Sequence, residues 1–357
     1  MDTFIMSAAL PISEQRRDTT VTPAVSILVP VFNHEHYLRP CIDSILMQET
    51  TFPVEIIIRE DASIDKSAQI LKEYEDRHPG LFRIRYETEN QWSKGVRAGP
   101  VLLSMSWGSY IAICEGDDYW TDKHKLQKQY NYMQYHPRVV LTFHDVMSVD
   151  NQGEMLALSK IEVLGAEMQP QHLEDFGSIA PSLIPSASVM FRNYPVKIGS
   201  MGMKITNGDT YIYAMLARYG VMHNMGETMG VHRSHDGGVW SSKNEQSKLH
   251  AQLKTLEAIA YEIDALNAPV AGRHLSTLAW RGFCVSCRKY KCQGILDYTR
   301  YFLEGILCCF RSSAYDLSTL PQVVATVMGI WWIPFGAVIK VGMRVLLKPF
   351  SGKSASA

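Results

Sequence analysis

The chain has 357 residues, of which 46% are apolar and 20% charged, and its formal net charge is -1 at pH 7. This length suits one large domain with an appendage or two domains, and the composition excludes global disorder. The near-neutral charge gives no indication of a nucleic-acid partner, so affinity for an anionic ligand must come from a local site.

The N-terminal segment lacks a basic stretch followed by a long apolar core, so it does not resemble a secretion signal. We predict a flexible leader over 1–22. The seven cysteines are scattered and odd in number, which favours a reducing compartment. We therefore expect a cytoplasmic protein.

Short apolar runs and helical patterns alternate through the first half of the chain. The runs with strand character lie at 25–32, 54–59, 82–86 and 110–114. Apolar residues recur at helical spacing between them, as from Tyr37 to Leu46. This alternation predicts a doubly wound α/β fold, with a mostly parallel sheet flanked by helices. Ligands of such sheets bind beyond the carboxyl ends of the strands.

The second half is less regular. Strands are predicted at 139–149, 186–191 and 221–231, and a helix begins near Asp209. From about residue 247 the pattern is helical. We predict a main α/β domain over 23–245, a helical extension over 246–315 and an apolar, basic tail over 316–357.

Three acids crowd into the segment CEGDDYWTD directly after the fourth predicted strand. They are Glu115, Asp117 and Asp118. Carboxylates at this spacing repel one another, and a hard divalent cation shared with a diphosphate would offset that repulsion. The alternative is an acidic loop that is simply solvated.

Five motifs occur in a characteristic order, namely VSILVPVFN, ED at 60–61, EGDDYW, GD at 208–209 and HRSHDGGVW. Over residues 24–242 the chain resembles a family 2 inverting glycosyltransferase with the GT-A fold. The resemblance implies metal-dependent transfer of a sugar from a nucleotide-diphosphate sugar, expected to be a UDP-sugar, to an acceptor hydroxyl. The acceptor would be a glycan or lipid-linked molecule in the synthesis of surface glycan, polysaccharide or lipopolysaccharide.

The resemblance also implies roles for individual residues. Asp209 would be the catalytic base, and Asp117 and His235 would bind Mn²⁺ or Mg²⁺. The expected nucleotide-sugar site comprises Pro30, Phe32, Asn33, Asp61, Lys94, Glu115 and Asp118. Within it, Asp61 would contact the base. Glu115, in place of the family's usual Asp, would face either the ribose or the groups that surround the metal ligands.

Roles outside catalysis and metal binding remain open for two of these residues. Asp209 could instead be a helix N-cap, and His235 could be a surface histidine on a mobile loop. Two other functions also remain open at this point. One is a metal-dependent nucleotidyltransferase or phosphohydrolase, and the other is a catalytically weak nucleotide-binding member that acts as a membrane-associated partner.

The C-terminal region contains an uncharged stretch over 317–339 that includes Trp331 and Trp332, followed by basic residues without an acid. The length of the stretch meets the rule for a spanning helix, but its glycines, Pro334 and tryptophans favour peripheral contact with the inner face of the cytoplasmic membrane. The alternative is a buried helical pair that completes the core.

Overall fold

The computed structural model describes residues 9–15, 21–158, 184–195, 198, 202–217 and 219–262. The chain divides into two units, Met1–Glu262 and Ile263–Ala357, and all described residues belong to the first. The predicted tail at 316–357 and its uncharged stretch lie outside the described residues. Within the described ranges, no helix combines the length and apolar composition required to cross a membrane.

The elements of the described part are defined here in chain order. The strands are β1 (Leu10–Pro11), β2 (Val25–Val31), β3 (Glu49–Thr50), β4 (Val54–Glu60), β5 (Phe82–Tyr86), β6 (Tyr110–Ile113), β7 (Tyr119–Trp120), β8 (Val139–Val149), β9 (Met155–Leu158), β10 (Met190–Arg192) and β11 (Val221–Arg233). The helices are α1 (Leu38–Leu46), α2 (Ser67–Arg77), α3 (Ala98–Met105), α4 (Lys125–Tyr135), α5 (Gly208–Leu216) and α6 (Glu245–Glu262).

The main sheet has the strand order β5-β4-β2-β6-β10-β8-β11-β7, and β9 pairs with β8. From β5 to β6 all neighbours are parallel, as the alternating pattern predicts. Strand β10 is antiparallel to both β6 and β8, whereas β8 and β11 are parallel. The carboxyl ends of β2, β4, β5 and β6 therefore share one edge of the sheet.

The central strands are apolar because helices cover both faces of the sheet. In β2, Val25, Ile27 and Val29 are fully buried, and α1 contributes Ile42 and Ile45 to the same core. The predicted strand at 139–149 is confirmed in full. The run at 186–191 is a strand only from Met190, because a 3-10 turn occupies Ser186–Ser188.

The prediction of a flexible leader over 1–22 is wrong for residues 10–14. Strand β1 pairs antiparallel with β3, and the Ile12 amide donates a hydrogen bond to the Gln48 carbonyl at 2.9 Å. Ile12 is fully buried, so hydrophobic burial holds this segment against the domain. The predicted boundary at 245 is also too early, because α6 belongs to the first unit up to Glu262.

Candidate active site

The acid-rich loop after β6 is held between β2 and the end of β11. The Gly116 amide donates to the Pro30 carbonyl at 3.1 Å, which ties the loop to β2. The Arg233 amide donates to Asp118 Oδ1 at 2.8 Å, and its Nε donates to the Asp117 carbonyl at 3.2 Å. The short β7 follows and pairs with β11, so the loop is fixed at both ends.

Asp118 is the most enclosed of the three acids, with 1% of its surface exposed. Burial raises the pKa of its carboxyl well above the usual range, and the nearby charges of Asp117 and Glu115 raise it further. Its bond to the Arg233 amide makes it a support of the loop. A direct contact between Asp118 and the nucleotide sugar stays a prediction.

Asp117 has the opposite electrostatic environment. Burial by itself would raise the pKa of its carboxyl, but His34 and His235 outweigh burial and lower that pKa to about 2. His235 Nε2 lies 2.9 Å from Asp117 Oδ2, and His34 Nε2 lies 3.8 Å from the same oxygen. Asp117 is therefore held as a carboxylate between two imidazoles.

These three residues form a group that could hold a metal ion, since one ligand atom from each lies within 4.8 Å of the other two. The second oxygen, Asp117 Oδ1, is buried without a hydrogen-bond partner, which is unusual unless a ligand completes it. A set of one carboxylate and two imidazoles suits a divalent transition metal. The residues present therefore fit a cation.

His34 was not among the residues predicted from the sequence. The signal for it was present, because His34 directly follows Asn33 at the carboxyl end of β2. Because His34 is far from the acid motif in the sequence, the sequence pattern did not predict that it lies close to Asp117. The parallel pairing of β2 with β6 brings the two segments together.

Glu115 and Asp209 interact electrostatically. Burial raises the pKa of the Glu115 carboxyl to about 8, and the charges of Asp117 and Asp209 add to this, while a hydrogen bond with Ser186 opposes it. Burial also raises the pKa of the Asp209 carboxyl. The structure therefore brings the predicted base within electrostatic range of the acid cluster.

Asp209 lies in the first turn of α5, where its carboxylate accepts a hydrogen bond from the Thr210 amide. The N-cap position belongs to Asn207, so the alternative of Asp209 as the N-cap is wrong. One turn later, the Tyr213 hydroxyl is buried without a hydrogen-bond partner. Burial raises its pKa well above the usual value, and the charges of Asp209 and Glu115 raise it further. Tyr213 was not among the residues predicted from the sequence.

The loops after β2 and β4 interlock at the same edge of the sheet. The Asn33 amide donates to Ser63 Oγ, and the Ile64 amide donates to Asn33 Oδ1, both at 2.9 Å. Asn33 and Ala62 both have left-handed backbones, with φ of 56° and 57°. Such strained positions persist only where the surroundings enforce them, as they often do at ligand sites.

Asp61 organises the loop that follows β5. Its carboxylate accepts hydrogen bonds from the amides of Gln91 and Trp92, both at 3.0 Å, and lies 3.3 Å from Arg59. Its predicted contact with the base would have to share oxygens already engaged in these bonds. That contact stays a prediction.

Two of the other predicted nucleotide-site residues are exposed to solvent. Lys94 forms an ion pair with Glu89 in the loop after β5. Phe32 is 41% exposed at the end of β2. The structure thus brings together Glu115, Asp117, Asp118, Asp209 and His235, whereas Lys94 pairs with Glu89 instead.

The fold is similar to that of TarS of S. aureus. A crystal structure of TarS 1-349 in complex with UDP matches 85% of this chain and 87% of that chain, with a TM-score of 0.56 and 15% sequence identity. This likeness concerns the fold alone. A mixed sheet flanked by helices, with acids at the carboxyl ends of its parallel strands, defines the GT-A class of glycosyltransferase fold.

Sequence relatives define the family. The profile described as Glycosyl transferase family 2 matches residues 26–183. Uncharacterized protein Rv1520 of Mycobacterium tuberculosis is 34% identical over 246 residues, which are 66% of this chain and 67% of that protein. The uncharacterized glycosyltransferase EpsJ of Bacillus subtilis is 35% identical over 97 residues, only 27% of each chain. The chain belongs to glycosyl transferase family 2.

It is therefore an enzyme that transfers sugar from a nucleotide sugar. This family assignment decides against the nucleotidyltransferase and phosphohydrolase alternatives.

Proposed function

We propose that this enzyme transfers a sugar from a UDP-sugar to an acceptor hydroxyl with inversion at the anomeric carbon, and that it requires Mn²⁺ or Mg²⁺. The observation that carries the proposal is the convergence of Asp117, His235, Glu115 and Asp209 at one edge of the sheet. UDP as the nucleotide is supported by TarS, which was crystallised with UDP.

Asp117 and His235 are the proposed ligands of the cation. When bound, the ion would neutralise charge on the departing diphosphate. Asp117 suits this role because its low pKa of about 2 keeps it ionised at any physiological pH. The buried, unpaired Asp117 Oδ1 gives it an oxygen that is free to coordinate.

Asp209 is the proposed base that removes the proton from the acceptor hydroxyl. Burial raises the pKa of its carboxyl, which strengthens it as a base, because a proton acceptor works best when its pKa approaches the working pH. Its place in the first turn of a helix and its bond from the Thr210 amide hold it in one position.

The proposed nucleotide pocket lies in the loops after β2, β4, β5 and β6, which share one edge of the sheet. It consists of Pro30, Phe32, Asn33, Asp61, Lys94, Glu115 and Asp118. The exposed Phe32 ring offers a surface on which a base could stack. The strained backbones at Asn33 and Ala62 support a ligand-binding role for these loops.

The proposed acceptor is a hydroxyl of a surface glycan or of a lipid-linked intermediate. Support comes from the sequence of the tail, where an uncharged stretch with two tryptophans precedes Lys340, Arg344, Lys348 and Lys353. A segment of this composition favours peripheral attachment to an anionic membrane. We accordingly propose a cytoplasmic enzyme that works at the inner face of the cytoplasmic membrane.

The test is incubation of the full chain with a panel of nucleotide sugars and Mn²⁺, with release of UDP and of pyrophosphate both measured. We expect UDP without pyrophosphate. Asp209→Asn should lower kcat by about 10²- to 10⁴-fold, since it removes the proton acceptor. UDP binding should be nearly unchanged, because Asp209 is not assigned to the nucleotide.

The matched control is Asp76→Asn, which makes the same chemical change at an exposed position of α2. Its kcat should equal that of the wild type. Near wild-type turnover by Asp209→Asn would refute the base assignment, and pyrophosphate release would refute the reaction class.

A further inference from the structure

The cation site has more protein ligands than the sequence motifs supply. His34, Asp117 and His235 come from the ends of β2, β6 and β11, and their ligand atoms lie within 4.8 Å of one another. Their side chains are only 14%, 13% and 6% exposed, so water has little access to them. The buried Asp117 Oδ1 has no hydrogen-bond partner, which leaves this oxygen available to coordinate a cation.

Contacts within the protein hold His34 in this position. Its amide donates to Ser67 Oγ at 2.8 Å, which fixes the backbone against α2. A Cβ added at Gly116 would lie 2.6 Å from His34 Nδ1, so the imidazole packs directly on the glycine of the acid-rich loop. The rings of His34 and His235 meet edge to face, with centroids 6.2 Å apart.

The chemistry of this ligand set differs from that of a carboxylate site. Mg²⁺ prefers oxygen ligands, keeps several of its waters and usually binds through one or two carboxylates and the phosphates of its substrate. Imidazole nitrogens favour transition-metal dications instead. Two imidazoles and a carboxylate, already assembled by the fold, need no phosphate to complete a binding site.

We infer that His34 is a metal ligand alongside Asp117 and His235, and that this site takes up a transition-metal dication before the nucleotide sugar binds and discriminates against Mg²⁺. The role of the ion in sugar transfer rests on the proposed function. The binding itself is measurable without any donor.

The experiment titrates Mn²⁺ into the nucleotide-free full chain and follows the electron paramagnetic resonance signal of free Mn²⁺. We expect the wild type to bind Mn²⁺, with little displacement by excess Mg²⁺. His34→Gln should weaken Mn²⁺ binding at least about tenfold, since changes to mere supporting groups around a metal already cost 10- to 100-fold.

The matched control is His36→Gln, two residues further on, whose side chain is 79% exposed. It should bind Mn²⁺ as the wild type does. Equal affinities for wild type and His34→Gln would overturn the inference, as would displacement of Mn²⁺ by equimolar Mg²⁺.

A second measurement does not depend on the folding of any variant. Electron spin-echo modulation of Mn²⁺ bound to the wild type should show coupling to nitrogens of two imidazoles. Coupling to the nitrogen of only one imidazole would overturn the inference. Turnover assays on the same preparations separate the two proposals. UDP-sugar turnover with only one nitrogen coupled would leave the proposed function standing, whereas two coupled nitrogens without sugar transfer would refute the function and support the site.

Discussion

At the scale of single residues, the acid-rich loop contains two carboxyls with opposite proton affinities. The pKa of Glu115 is raised to about 8 by burial and by neighbouring negative charge, and that of Asp117 is lowered to about 2 by two imidazoles that outweigh burial. Pairs whose environments separate their pKa values in this way usually have different chemical roles. The histidines explain why Asp117 is the residue suited to hold a cation.

The raised pKa of Glu115 predicts a specific pH dependence of stability in the metal-free protein. Between about pH 4.5 and pH 8 the folded protein keeps a proton on Glu115 that the unfolded chain has released. Stability from this group is therefore complete below pH 4.5 and falls as the pH rises toward 8. Glu115→Gln removes that loss.

We expect Glu115→Gln to match the wild type near pH 5 and to exceed its Tm by roughly a few °C at pH 8.5, in thermal unfolding with chelator present. Glu154→Gln, at an exposed position after β8, is the control and should track the wild type at both pH values. A Tm difference that does not vary with pH would contradict the assignment.

At the scale of elements, the sheet depends on close contact between β2 and the turn that leads into β6. Gly108 is buried in that turn, and its amide donates to Ser26 Oγ at 2.8 Å. A Cβ at this position would lie 2.5 Å from the Ser26 amide nitrogen and 2.8 Å from the Val25 carbonyl carbon. Backbone atoms in a paired strand cannot move aside as a flexible side chain would.

We therefore expect Gly108→Ala to lower the free energy of unfolding by about 1–3 kcal/mol or more, because it overpacks this contact. Urea denaturation provides the measurement. The comparison variant is Gly208→Ala at the start of α5, where an added Cβ meets nothing within 4 Å. It should be neutral or stabilising by up to about 1 kcal/mol, since Ala favours a helix. Equal losses in both variants would show that the contact in the turn is unimportant.

At the scale of the whole molecule, the N-terminal segment at residues 10–14 is an integral part of the folded first unit. Strand β1 pairs with β3, and Ile12 is fully buried in the same core cluster as β2 and α1. This arrangement closes the core at the side of the sheet where α1 packs. Loss of the segment would expose apolar side chains of several elements at once.

Ile12→Ala should lower the free energy of unfolding by about 2–5 kcal/mol, the usual loss when a buried Ile leaves a cavity. Leu10→Ala, two residues earlier at a position 45% exposed, should change it by less than about 0.5 kcal/mol. Chemical denaturation of both variants checks this. A loss for Ile12→Ala as small as that for Leu10→Ala would mean that the segment does not contribute to the core.

The sequence by itself determined the elements of the parallel half of the sheet and the place of the acid cluster at their carboxyl ends. Apolar runs and helical periodicity are local properties, so β2, β4, β5, β6 and β8 were predicted to within a residue or two. The order of the motifs also identified the family and selected Asp117, Asp209 and His235.

Only the tertiary structure decided which of these groups meet, because contacts between distant segments depend on strand order and not on local pattern. The pairing of β2 with β6 brings His34 close to Asp117, and the pairing of β1 with β3 brings Ile12 into the core. Asp61 proved to be bonded to the loop after β5. The pKa values of Glu115 and Asp117 diverged for the same reason, since burial and neighbouring charge exist only in the folded chain.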